Sequence, residues 1–273
     1  MRRLKLVFTL IVALGVSPAL FASAMFDHHH SLWNQLLRQH VSWVSGGVAS
    51  QVDYAGLQRN RAALNVYLRH LSSVNRTEYN SWHRDQQLAF LINAYNAFTV
   101  ELILTKYPNL DSIKDLGSFL RSPWKKEFFT LLGERRHLDN VEHDMIRGEF
   151  NEPLIHVAVV CASIGCPALR DHAFTSENLE SSLTDSMRRF LSDRSRNRYN
   201  AERKTLQVSK IFDWYRGDFE KDQRGYRELS DLFAAHATEL SADPAVQALI
   251  KAGRVPIEFI KYDWGLNDVS SNS

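Results

Sequence analysis

The two cysteines of this chain, Cys161 and Cys166, stand together in Val160-Cys161-Ala162-Ser163-Ile164-Gly165-Cys166-Pro167. A thiol becomes a nucleophile when a neighbouring imidazole takes its proton and a carboxylate or amide orients that ring. The residue types for such a site are present. Cys161 is the candidate nucleophile, His143 the candidate base and Glu142 the candidate acid. Asn93, Asn96, His156, Ser163 and Cys166 are candidates to line a binding site around them. The chemistry would be acyl transfer or hydrolysis. Adjacent residues on a helix point about 100° apart, so Glu142 is poorly placed to orient the ring of His143.

The same cysteines fit two other outcomes. Their spacing permits a Cys161–Cys166 disulfide, favoured in an oxidising compartment and worth about 2 kcal/mol for so small a loop. Two inert buried thiols are the third outcome. The disulfide and the reactive thiol exclude one another in the oxidised state, and the residues alone leave all three open. His137, Glu142, His143, His156 and His172 show no recognised metal-ligand spacing. No phosphate loop or dinucleotide fingerprint occurs, and Ser163 lacks the glycines of a nucleophile elbow, so no cofactor is expected.

These residues need elements to hold them. Pro153–Val160 is a β-branched apolar run that reads as a buried strand, with His156 sharing parity with Ala158 and Val160. A histidine satisfied within the core is an alternative to a site role there. The strongest helical pattern runs from about Trp82 to Tyr107, ahead of Pro108, and is apolar on all sides, which predicts a buried helix. Asn93 and Asn96 lie one turn apart on it, so their amides must either tie down backbone or face a ligand.

Earlier in the chain, Leu32–Val44 and Tyr54–Leu71 have helical spacing. Phe128–Leu138 reads as a hairpin around Gly133, and Asp139 with Glu142 has capping-box spacing for the helix carrying His143. Ser176–Leu191, Ser230–Leu240 and Pro244–Ala252 read as helices, and Leu206–Ser209 and Val255–Tyr262 as strands. Trp214, Tyr215 and Phe219 read as core. Helices first and then mixed elements predict an α+β fold, a helix-rich single domain with a small, mainly antiparallel sheet.

The first 24 residues read as a signal peptide, with Arg2, Arg3 and Lys5 ahead of an apolar Leu6–Val16 and a cleavage site at Ala22-Ser23-Ala24. Residues 25–50 are expected to hold an N-terminal helix, 51–266 the globular domain and 267–273 a disordered tail. His28, His29 and His30 read as a frayed, solvated terminus. No segment after the leader reads as long and apolar enough to span a membrane, so the expectation is a periplasmic protein. The chain has 33 basic and 31 acidic residues, and loss of the three leader basics leaves 30 against 31. Near-neutrality gives no reason for a nucleic-acid partner. The expected ligand is a protein, peptide or small molecule, and the residues do not fix the oligomeric state.

Five separated blocks occur in an order that resembles the family of domain of unknown function 547 (DUF547). They are Ala89-Phe90-Leu91-Ile92-Asn93-Ala94-Tyr95-Asn96-Ala97, Pro123-Trp124, Leu138–His143, His156–Arg170, and Ile211–Tyr215 with Asp218-Phe219. The likeness runs from about Val52 to Trp264. The family pattern has Asn before the first cysteine, where this chain has Val160. The resemblance implies a fold similar to the papain and transglutaminase type, in which the nucleophile begins a central helix and its partners come from the sheet. Here the central helix offers Asn93 and Asn96 instead of a cysteine, so the usual nucleophile is absent from it. The resemblance therefore implies that the site is either dead or rebuilt from other residues. The residues themselves leave two readings, a thiol-dependent hydrolase or acyl transferase at Cys161 and a non-catalytic binding or regulatory module with a Cys161–Cys166 disulfide.

Overall fold

A computed structural model of the chain describes residues 25–118 and 121–269; the leader expected over residues 1–24 and the end of the tail lie outside the described residues. The buried helix is Arg84–Leu104. His83 N–H donates to Gln86 Oε1 at 3.1 Å to start it. It has no polar face, so nothing holds it at the surface and the rest of the chain packs around it. By length and composition it could cross a membrane, contrary to the expectation for the mature chain. Yet 94% of its apolar window is buried within the protein, as in the core helix of a folded domain.

The first helix, Ser31–His40, stops short of the predicted Val44. Val41–Val44 (β1) instead pairs antiparallel with Ala49–Val52 (β2). The β-branched Val41 and Val44 suit a strand, and Ser45, Gly46 and Gly47 make the reversal with positive φ. Trp33 of the first helix stacks on Tyr67 of the helix Arg61–Ser73, with centroids 5.7 Å apart.

The expected hairpin is present as Phe129–Leu131 (β3) and Glu134–Arg136 (β4), turned through Leu132 and Gly133, both at positive φ. The largest sheet has three strands. Arg198–Asn200 (β5) runs antiparallel to Thr205–Val208 (β6), which runs parallel to Ile257–Phe259 (β7). The class is α+β, with many helices and small sheets.

Several expectations are overturned. Pro153–Val157 is a 3-10 helix, not a strand. Glu152 caps that helix, accepting from the Leu154 N–H at 2.9 Å, and just beyond it the Asn96 amide donates to the Ala158 carbonyl at 2.9 Å and accepts from the Val160 N–H at 2.9 Å. Groups that a strand would offer to a neighbour are thus already taken. The capping box at Asp139 is also missing. Asn140–Ile146 is π-helical, and the Asn140 N–H donates to His137 Nδ1 at 2.9 Å.

His30, Asn267 and Asp268, expected in a frayed terminus and a disordered tail, are packed into the fold. His30 is buried, with Nδ1 2.7 Å from the Tyr67 hydroxyl, and Phe26 packs edge-on to Phe90. At the other end Asn267 and Asp268 are buried. The Tyr54 hydroxyl donates to Asn267 Oδ1 at 2.8 Å, and the Tyr107 hydroxyl to Asp268 Oδ2 at 3.0 Å.

Candidate functional site

The cysteine loop is shaped by its neighbours. Ala162 has φ 61°, a conformation that costs a residue with a side chain of order 1 kcal/mol or more and persists only where the surroundings enforce it. The C-terminal segment supplies that enforcement. Ile164 N–H donates to Gly265 O at 2.8 Å, Gly165 N–H to Asp263 O at 2.9 Å, and Asn267 N–H to Ala162 O at 3.1 Å. Glycine is required at 165 because a Cβ there would lie 2.8 Å from the Asp263 carbonyl oxygen. From the opposite side the buried Arg196 donates to the Cys166 carbonyl and, at 3.0 Å, to the Val48 carbonyl, while its charge is paired with Asp193 at 2.6 Å.

Both cysteines are free, so the Cys161–Cys166 disulfide is not formed in this structure. The sulfurs are instead engaged in hydrogen bonds. The Tyr262 hydroxyl donates to Cys166 Sγ at 3.1 Å and also lies 3.1 Å from Cys161 Sγ. The backbone N–H of Cys161 donates to Cys166 Sγ at 2.9 Å. These contacts divide the two thiols. Hydrogen bonds from Cys166, Tyr262 and Ser163 outweigh burial and draw Cys161 down to about 7. Burial and the adjacent Cys161 push Cys166 up, so it keeps its proton. Cys161 is part-exposed and Cys166 buried, so the ionisable thiol is the accessible one.

Cys161 opens into a cavity of about 340 Å³ whose walls include Glu142, His143, His156, Trp214, Tyr262 and Trp264. His156 is buried and stacks on Tyr215 at 3.8 Å. Its Nε2 lies 2.8 Å from Asp218 Oδ2. With the proton on Nε2, as that carboxylate dictates, Nδ1 is a bare acceptor, and it has no hydrogen-bond partner. Burial lowers the His156 imidazole against the pull of Asp218, which keeps the ring neutral. Asp218 is held far below the usual carboxylate range by His156, Arg147 and Lys221.

The sequence-predicted set divides here. Cys161, Glu142, His143, His156 and Cys166 share the cavity. Ser163 is buried, with Oγ 3.5 Å from Cys161 Sγ. His143 and Glu142 do not pair with each other. His143 Nδ1 accepts from Arg147 at 2.8 Å, and its Nε2 is 4.0 Å from Asp139. Glu142 is buried and accepts from the Tyr215 hydroxyl at 2.6 Å. Asn93 and Asn96 lie outside the cavity lining and serve as backbone clamps, Asn93 bonding Phe174 through its carbonyl at 2.7 Å and its N–H at 3.1 Å. Among the described residues, no group of three or more His, Cys, Asp or Glu is placed to hold a metal ion.

Sequence reasoning missed Asp218, Tyr262 and the cavity-facing role of Trp214, which is 46% exposed and not core. The only signal for Asp218 and Trp214 was membership of the last separated block; Tyr262 lies in none of the five blocks and falls only within the span of the likeness.

No curated protein and no solved structure matches the chain. The matched family segment takes in Glu142, His143, His156, Cys161 and Cys166, and ends before Asp218 and the aromatic residues of the C-terminal segment. Residues 79–191 match the family model described as "Protein of unknown function, DUF547".

Proposed function

We propose that this chain is an exported, thiol-dependent hydrolase or acyl transferase in which Cys161 is the nucleophile and His156, held by Asp218, is the base. The leader pattern of the sequence supports export. The observation that carries the chemistry is one cavity shared by the low-pKa Cys161 and the His156 ring, whose Nδ1 is bare and whose Nε2 is bonded to Asp218. His156 is favoured over His143 because the Nδ1 lone pair of His143 is already taken by Arg147.

In the first step Cys161 Sγ attacks the substrate carbonyl carbon, and the thiol proton passes to His156 Nδ1. The imidazolium is stabilised by the Asp218 carboxylate. The bond from carbon to the leaving oxygen or nitrogen breaks, and that atom takes the proton back from His156. In the second step water or an amine gives a proton to His156 and attacks the thioester, releasing Cys161 as thiolate for reprotonation. Electrons and protons balance without a cofactor. The thiol sits on a loop, in contrast to the papain and transglutaminase type, where a central helix carries it.

The test is turnover of an activated aryl ester with mapping of the covalent adduct. The expected results are an acyl group on Cys161, no turnover in Cys161→Ala, and a loss on the order of 10²-fold or more in His156→Gln. The loss in His143→Gln should be smaller. Turnover retained in Cys161→Ala overturns the reading.

A further inference from the structure

We propose that the cavity at Cys161 is built for a ligand with an alkylammonium head, seated against the Glu142 carboxylate and the faces of Trp124 and Trp214. This rests on the reading of the cavity as a substrate site. The charge of the lining is one-sided: the carboxylates of Asp139 and Glu142 face it, and no Lys or Arg lines it. Glu142 is only 5% exposed; its hydrogen bond comes from the neutral Tyr215 hydroxyl, and the Arg147 guanidinium acts on it from the Tyr215 side and not from the cavity lining. Arg147, the nearby cation, is hydrogen-bonded to Asp218 at 2.5 Å and so is shared between the two carboxylates. A cationic ligand head would give Glu142 a charge partner on the cavity side, which a neutral ligand would not. An anionic ligand would meet two carboxylates and, when ionised, the Cys161 thiolate.

The aromatic walls point the same way. Ring faces attract cations, most strongly when the site is desolvated. Two rings here already hold the chain's own cations: Lys114 Nζ lies 3.6 Å from the Trp264 centroid, and the Arg147 guanidinium 5.1 Å from that of Tyr215. Trp124 and Trp214 carry no such cation among the described contacts. Trp214 is an exposed large aromatic whose indole leans on Tyr262 at 4.9 Å, at the edge of the cavity. A cavity of about 340 Å³ takes a small ammonium head together with the acyl group it carries.

The test uses the full chain with Cys161→Ala, so that binding is read without acylation. Tryptophan fluorescence is titrated with choline, with its neutral carbon isostere neohexanol and with the anionic isostere tert-butylacetate. The expected result is a saturable response to choline, at least about tenfold weaker binding of neohexanol and none of tert-butylacetate. Glu142→Gln should weaken choline about tenfold and leave neohexanol unchanged. Equal or tighter binding of neohexanol, or no saturable response to choline, overturns the proposal. Choline selectivity without any Cys161 adduct in the ester assay would instead overturn the catalytic reading and leave this one standing.

Discussion

His156 Nε2 lies 2.8 Å from Asp218 Oδ2, although 62 residues separate them in the chain. The contact fixes which nitrogen carries the proton, and it leaves Nδ1 bare in a ring that lines the cavity of Cys161. Asp218→Asn removes the charge that favours the imidazolium. Turnover of the aryl ester should fall on the order of 10²-fold. Because His156 then holds a proton less firmly, the acid limb of the pH–rate profile should move to lower pH. A merely structural Asp218 would lower the rate without moving the limb.

Asn93 and Asn96 predict a difference in kind. Each amide bonds both a carbonyl and an N–H of buried backbone. Alanine at either position leaves those groups unpaired, at a cost of about 1–3 kcal/mol in urea unfolding. Asn96→Ala should also change the alkylation rate of Cys161, since Val160 N–H hangs from its amide. Asn93→Ala, which clamps Phe174 instead, should not.

Gly165→Ala forces a Cβ to within 2.8 Å of the Asp263 carbonyl oxygen, a backbone atom with little freedom to move. The substitution should cost about 1–3 kcal/mol. It should also loosen the C-terminal segment, read as faster amide exchange at Gly165 and Ile164. Unchanged stability would mean that this segment does not brace the cysteine loop.

The buried His30 sets an acid limit on stability. Burial draws it from 6.5 to about 3. The unfolded chain therefore binds this proton below about 6.5, while the folded chain declines it until about 3. The stabilisation is fully present above 6.5 and is lost progressively as pH falls toward 3. Across that window the unfolding free energy should drop with a slope of up to one proton, about 1.4 kcal/mol per pH unit. In His30→Gln, chemical unfolding followed at several pH values should show a slope shallower by that amount.

The sequence carried the local grammar of the fold. The all-round apolar pattern located the buried helix, Gly133 located the hairpin, and the two asparagines were restricted to clamp or ligand roles because a buried amide needs partners. What it did not carry was set by contacts distant in the chain. The β-branched run at Pro153–Val160 has the composition of a strand, but Glu152 caps it as a helix and Asn96 takes the backbone groups just beyond. The polar Asn267 and Asp268 have the composition of a tail, but Tyr54 and Tyr107 bury them. Trp214 has the composition of core, and periodicity does not separate a cavity wall from an interior. Asp218 and Tyr262 become site residues only once folding brings them to His156 and Cys161.

The most direct measurement is the rate of iodoacetamide alkylation of the native, reduced protein against pH, with the modified cysteine mapped by mass spectrometry. The account predicts a single fast site, Cys161, with a midpoint near 7, while Cys166 stays protected. It also predicts that Tyr262→Phe raises the midpoint toward that of an ordinary thiol, because one hydrogen bond to Cys161 is lost. Two slow thiols, or a fast reaction at Cys166, would contradict it.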